Sequence, residues 1–162
     1  ATKSGWVLEN GALTGNDNPN ADPEILVAIG ELATSIGAAD ITELEFITTA
    51  FDVSNGGTLQ VRVRFNEAVD VTGTPQLTVV NDSRANHTLS YASGTGSNEL
   101  VFSLTIAAGG GGVIAADDEL SLGANAVSLN GGTIKDAGTS TNSTITNAAG
   151  VGTAAGTITA TA

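Results

Sequence analysis

The stretch Leu59-Gln60-Val61-Arg62-Val63-Arg64-Phe65 alternates apolar and polar residues without interruption. A period of two belongs to a strand, and no helix tolerates it. Leu59, Val61, Val63 and Phe65 share one face while Gln60, Arg62 and Arg64 share the other, the pattern of a half-buried antiparallel strand. Asn55-Gly56-Gly57 precedes it as a turn. A second alternation, Leu100-Val101-Phe102-Ser103-Leu104-Thr105-Ile106, follows the turn Ser93-Gly94-Thr95-Gly96-Ser97-Asn98 and sets Leu100, Phe102, Leu104 and Ile106 inward. Further strands are expected at 43–49, 76–80, 87–91, 126–129 and 156–161. With 21 glycines and only six aromatic residues in 162, the chain suits a sheet protein with many tight turns and a core of Val, Ile, Leu and Ala. Short strands separated by turn signals every dozen or so residues argue for an all-β, antiparallel sandwich over residues 41–162.

Residues 1–40 lack this alternation and read as a separate arm for docking or oligomerisation. Asn16-Asp17-Asn18-Pro19-Asn20-Ala21-Asp22 is a turn-forming cluster. After it the spacing predicts a short helix: Asp22 is a good N-cap, Pro23 suits the first position, Glu24 complements the dipole and Gly37 closes it. Leu26, Ile29, Ala33 and Ile36 then fall on one side. Gly30 inside the segment weighs against the helix, and Ile25-Leu26-Val27 also suits a strand.

The charge is uneven. Residues 1–52 hold nine acids and one base, net −8, and the remainder holds eight acids and four bases, net −4. Five scattered cations (Lys3, Arg62, Arg64, Arg84 and Lys135) do not make the basic face that nucleic acid or an anionic membrane requires, so neither is expected as a partner. No apolar run approaches the roughly 18 residues of a membrane span. Ala1-Thr2-Lys3-Ser4-Gly5 lacks the apolar stretch of a signal peptide, and the chain is expected to be soluble. The absence of cysteine excludes disulfides, thiolate metal sites and cysteine nucleophiles. The glycine run at 109–112 is followed by Val113-Ile114-Ala115-Ala116 rather than Lys and Ser or Thr, so it reads as a flexible connection and not a phosphate loop.

Two longer stretches resemble a known family. Val63-Arg64-Phe65-Asn66-Glu67-Ala68-Val69-Asp70-Val71-Thr72-Gly73-Thr74-Pro75-Gln76-Leu77-Thr78 resembles the first half of the bacterial immunoglobulin-like repeats of large surface proteins and adhesins. Tyr91-Ala92-Ser93-Gly94-Thr95-Gly96-Ser97-Asn98-Glu99-Leu100-Val101-Phe102 and Leu129-Asn130-Gly131-Gly132-Thr133-Ile134-Lys135-Asp136-Ala137-Gly138 follow in the same order. The resemblance spans about residues 44–146. It implies an immunoglobulin-like β-sandwich, usually strung in tandem, that acts as a structural or adhesive module without catalysis. This chain departs from it in having one unit, an arm of about 40 residues, and four glycines where a relative carries an acidic loop.

No catalytic residue is expected. His87 is the only histidine; it alternates with Leu89 and Tyr91, and no Gly-x-Ser-x-Gly elbow accompanies it. Asp117-Asp118-Glu119 offers three adjacent acids that, with Asp136 or a loop carbonyl, have the hard oxygen ligands calcium prefers; the plainer reading is a solvated acidic turn. Asn16 to Asp22 also places oxygen ligands at alternate positions like a calcium loop, although an EF-hand starting at Asn16 needs Gly where Ala21 stands and Glu where Val27 stands. Glycosidase chemistry needs a sugar cleft that the few aromatics, several of them inward, do not furnish. Trp6, Val7 and Leu8 lie in the arm outside the sandwich, and either fold back or dock on a partner.

Two functions fit these features. The first is a non-enzymatic component of a bacteriophage virion surface, a capsid decoration or cement protein that docks through its arm on the major capsid protein, other virion proteins or copies of itself as a homo-oligomer. The second is an immunoglobulin-like module of a secreted bacterial adhesin or surface-layer protein, located extracellularly.

Overall fold

The computed structural model describes residues 4–8, 24–29 and 37–162. The chain divides into two compact units, Ala1–Ile36 and Gly37–Ala162.

In the first unit β1 (Ser4–Leu8) pairs antiparallel with β2 (Glu24–Ile29). The expected helix is therefore replaced by a strand where it was to begin. Ile25-Leu26-Val27 prefers extended backbone, and pairing with Trp6 and its neighbours supplies the hydrogen bonds that a helical segment would otherwise have made within itself. The register slips between Trp6, opposite Val27, and Val7, opposite Ile25, which marks a bulge. The cluster at 16–22, and Gly30, Ala33 and Ile36 of the predicted helix, lie outside the described residues.

The second unit is mostly β, a mixed, curled sheet of ten strands. These are β3 (Ile41–Phe46), β4 (Phe51–Asp52), β5 (Gly57–Thr72), β6 (Gln76–Asn81), β7 (His87–Ser93), β8 (Ser97–Ile106), β9 (Glu119–Ser121), β10 (Val127–Ser128), β11 (Thr133–Asp136) and β12 (Ile158–Thr161). One short helix, α1 (Ala149–Thr153), precedes β12. The main path runs β11-β5-β8-β7-β6-β9-β12-β4, with β3 also on β5 and β10 on β6. Pairing between strands is antiparallel except for β12 against β4, which is parallel, and the isolated bridge of Asp40 with Thr144 is parallel too, so the expectation of a wholly antiparallel arrangement is corrected at those places. The two-residue β4 was invisible to periodicity because so short a strand completes no alternation.

The 16-residue β5 organises the unit. β8 lies along one edge, while the other is shared by β3, paired with 61–65, and β11, paired with 69–72. Leu59, Val61, Val63 and Phe65 are buried as their alternation predicts, as are Leu100, Phe102 and Ile106 of β8; Leu104 is half-buried. Between Arg64, opposite Glu99, and Val69, opposite Ser97, β5 places Phe65-Asn66-Glu67-Ala68 against the single residue Asn98. This large bulge re-aims the strand before it pairs with β11. Ala39, on the arm side of the boundary expected at residue 40, is fully buried in the second unit.

The glycine run is a packed turn. Gly110–Gly112 forms a 3-10 turn, and all four glycines at 109–112 have positive φ, between 55° and 79°. Gly110 is buried against Val53 and Ile114, and Gly109 donates its N–H to the Val53 carbonyl at 2.8 Å. Four successive left-handed residues are costly for any side chain with a Cβ, which explains a run that composition alone reads as a linker. Among the described residues no helix is long and apolar enough to cross a membrane.

Candidate functional site

A cleft of about 730 Å³ opens where the β6–β7 hairpin meets the end of β8 and the glycine turn, lined in part by Arg84, Asn86, His87, Thr105, Gly111 and Val113. Beneath it lies a polar cluster built from strand phase. Leu77, Val79 and Asn81 alternate inward on β6, His87 and Leu89 on β7, and Asp118, Leu120 and Leu122 around β9, so three polar side chains occupy positions otherwise given to core residues.

Asn81 is the hub. Its Oδ1 accepts from the backbone N–H groups of Ser83 and Arg84, both at 3.0 Å, and its Nδ2 donates to Asp118 Oδ2 at 3.0 Å. The second Nδ2 hydrogen is directed at His87 Nε2, 3.3 Å away, which requires that nitrogen to be unprotonated. Asp118 Oδ2 also accepts from the Ala115 N–H at 3.0 Å and pairs with Arg84 Nε at 3.0 Å. The Asn81 hydrogen bond, the Ala115 N–H and the Arg84 charge hold the Asp118 carboxyl below its ordinary range. Burial lowers the His87 pKa, against a smaller opposing pull from the Asp118 charge. Neutral His87 and ionised Asp118 therefore form one arrangement that ties the hairpin to the segment before β9. Among the described residues no Ser or Thr hydroxyl hydrogen-bonds to the His87 ring, so the pieces of a nucleophilic triad are not assembled here.

The acids singled out in the sequence go to different places. Asp118 is committed to Asn81, Ala115 and Arg84; Asp117 is exposed with φ of 68°; Glu119 is exposed, and its N–H donates to Asp82 Oδ1. Asp136, at the end of β11, is buried, and its Oδ1 accepts from the Ala39 N–H at 2.8 Å and the Ser143 hydroxyl at 3.2 Å. Asp117 to Glu119 and Asp136 are thus not gathered, and among the described residues no group of three or more His, Asp or Glu side chains is placed to hold a metal.

The outward face of β3, β5 and β8 carries a lattice of ion pairs. Arg64 bonds Glu43 and Glu99, both at 2.7 Å, and Arg62 bonds Glu45 and reaches Glu99 at 3.5 Å. The Arg64 hydrogen bond is the main reason the Glu99 carboxyl lies below its usual range. Such half-exposed pairs contribute little individually; they set opposite charges directly across from one another on β3, β5 and β8, in keeping with the observed register. Trp6, Val7 and Leu8 all fall on β1.

Sequence reasoning missed Arg84 as the partner of buried Asp118, yet the signal for Asn81, Asp118 and Asp136 was present: each is in phase with an apolar alternation. Comparison of the chain with protein-family models, with curated proteins and with solved structures gives no match.

Proposed function

We propose that this protein is a non-enzymatic structural component of a bacteriophage virion surface, a capsid decoration or cement module, with residues 37–162 as an immunoglobulin-like body and the N-terminal unit as the docking element. The observation that carries the reading is the separate strand pair of β1 and β2. Eleven strand residues include Trp6, Val7, Leu8, Ile25, Leu26, Val27 and Ile29. A two-stranded ribbon is marginal by itself and needs a further layer or strand to bury such residues. Capsid protein, or the same ribbon of another copy, supplies that layer, by face packing or by strand addition at a free edge. Symmetric copies make weak individual contacts sufficient for a lattice. Residues 1–36 hold five acids and one base, net −4, which calls for a basic or polar partner surface.

Removal of residues 1–36 tests this. The expected product is a folded body, by circular dichroism, that neither self-associates in light scattering nor co-sediments with virus particles. A truncated protein that assembles or binds particles as the full chain does refutes the docking role.

The residues behind the family resemblance favour a second reading. They lie on β5 and β6, on β7 and β8, and on β11, the centre of the sheet and its β11 margin, which is how an adhesin or surface-layer module would be built. That reading requires further copies of the Gly131-Gly132-Thr133-Ile134-Lys135-Asp136 unit in the parent reading frame.

A further inference from the structure

We infer that Glu67 and Asp136 form a binding site for a hard divalent cation, of the calcium class, at the junction of the β5 bulge and β11. The site is distinct from the acidic run at 117–119 and does not depend on the docking function.

Register sets the two acids on one phase of the strand pair. Asp136 is paired with Val69, and the Ala137 N–H donates to the Ala68 carbonyl at 2.9 Å, so the next position along β5 on the same phase as Val69 is Glu67. The odd residues Phe65 and Val69 are buried, as are Ile134 and Asp136 of β11, which puts Glu67 and Asp136 on the inner side of the strand pair. Lys135, the one cation on β11, registers with Asp70 in the opposite phase.

Both carboxylates are incompletely satisfied. Asp136 is 2% exposed; its Oδ1 is bonded to Ala39 and Ser143, but its Oδ2 has no donor among the described residues. Glu67 Oε1 is likewise buried without a donor. Buried oxygens that carry negative charge without hydrogen bonds or a counter-ion are strongly disfavoured, and among the described residues no side-chain cation pairs with either acid. A hard cation resolves both at once. The Ser143 hydroxyl, 3.2 Å from Asp136 Oδ1, adds a neutral oxygen beside the carboxylates, and water supplies the remaining oxygens of a calcium shell. Two charged ligands place the affinity in the weak range, about 10⁻⁴ to 10⁻³ M, typical of extracellular modules.

Calorimetric titration of the full chain with CaCl2, with MgCl2 for comparison, and thermal melting in millimolar CaCl2 or EDTA test the site. Wild-type protein is expected to take up about one Ca2+ per chain and to melt higher in calcium than in EDTA, since a ligand of the folded state raises its stability. Glu67→Gln, which removes a charge without removing a known hydrogen bond, is expected to lower the affinity at least tenfold and erase the melting shift. Asp136→Asn should do the same; where that buried change prevents folding, Glu67→Gln alone decides. The double variant Asp117→Asn, Glu119→Gln should bind as wild type does. No heat and no shift at 5 mM CaCl2, an undiminished shift in Glu67→Gln, or loss of binding in the 117/119 variant each overturns the assignment.

Discussion

Gly110→Ala separates a packed glycine turn from a flexible linker, because only the packed turn gives a large loss. In a linker that moves freely in the folded state the added methyl restricts folded and unfolded chains alike, and stability changes by less than about 0.5 kcal/mol. In the observed turn Gly110 has φ of 72°, and an added Cβ would stand 2.9 Å from Val53 Cγ1 and 3.1 Å from Ile114 Cγ2. The left-handed conformation costs an alanine about 1–2 kcal/mol. Crowding adds about 1–3 kcal/mol, since Val53 and Ile114 are β-branched and stiff at χ1 and both are buried. After the unfolded-state gain, the net expectation is a loss of about 2–4 kcal/mol. Gly111→Ala is the internal control: φ is 55°, but nothing lies within 4 Å of the new methyl, so only the backbone term applies. Its loss should be about 1 kcal/mol. Urea unfolding followed by circular dichroism reads both variants; with a slope of about 2 kcal/mol per molar, Gly110→Ala moves the midpoint down by about 1–2 M. Equal effects at the two positions, or a gain at Gly110, would refute the packing of the turn.

Two further outcomes follow from particular residues. The folded pKa of His87 lies below the ordinary 6.5, so the unfolded chain binds the extra proton and stability, complete above 6.5, falls as pH drops below it. Asp118 adds a second loss that begins near 3.8, because its folded pKa is also depressed. His87 is the sole histidine, so melting temperature against pH should lose its slope between pH 7 and 5 in His87→Gln; an unchanged slope shows that the Asn81 contact does not hold the ring neutral. At Gly94, φ is 116° and a methyl would collide with the Glu99 carbonyl, whereas at Gly96, φ 79°, nothing lies within 4 Å. Gly94→Ala should therefore cost at least about 2 kcal/mol more than Gly96→Ala in the same urea assay, and parity would show that the β7–β8 turn relaxes freely.

Local period determined much of this protein by itself. Strict alternation in 59–65 and 100–106 fixed two strands and their buried faces, because burying one side of a pleated strand leaves every second residue apolar. Turn residues marked the starts of β5 and β8 for the same local reason, through Gly56, Gly57, Gly94 and Gly96, which take positive φ. Only the tertiary structure decided what depends on neighbours distant in sequence. Ile25-Leu26-Val27 satisfied helix and strand spacing alike until β1 supplied a partner. The glycines at 109–112 looked featureless because a residue without a side chain leaves no pattern, although Gly110 is packed on Val53. Asp117-Asp118-Glu119 read as one acidic run, yet strand phase turns Asp118 inward to Asn81 and Arg84 while its neighbours face water. Glu67 and Asp136 are 69 positions apart, and only the register of β5 with β11 sets them on one phase of the same strand pair. Charge and hydrophobicity are properties of residues, legible one at a time; which charges meet in a low-dielectric interior is set by pairing, and pairing is not local.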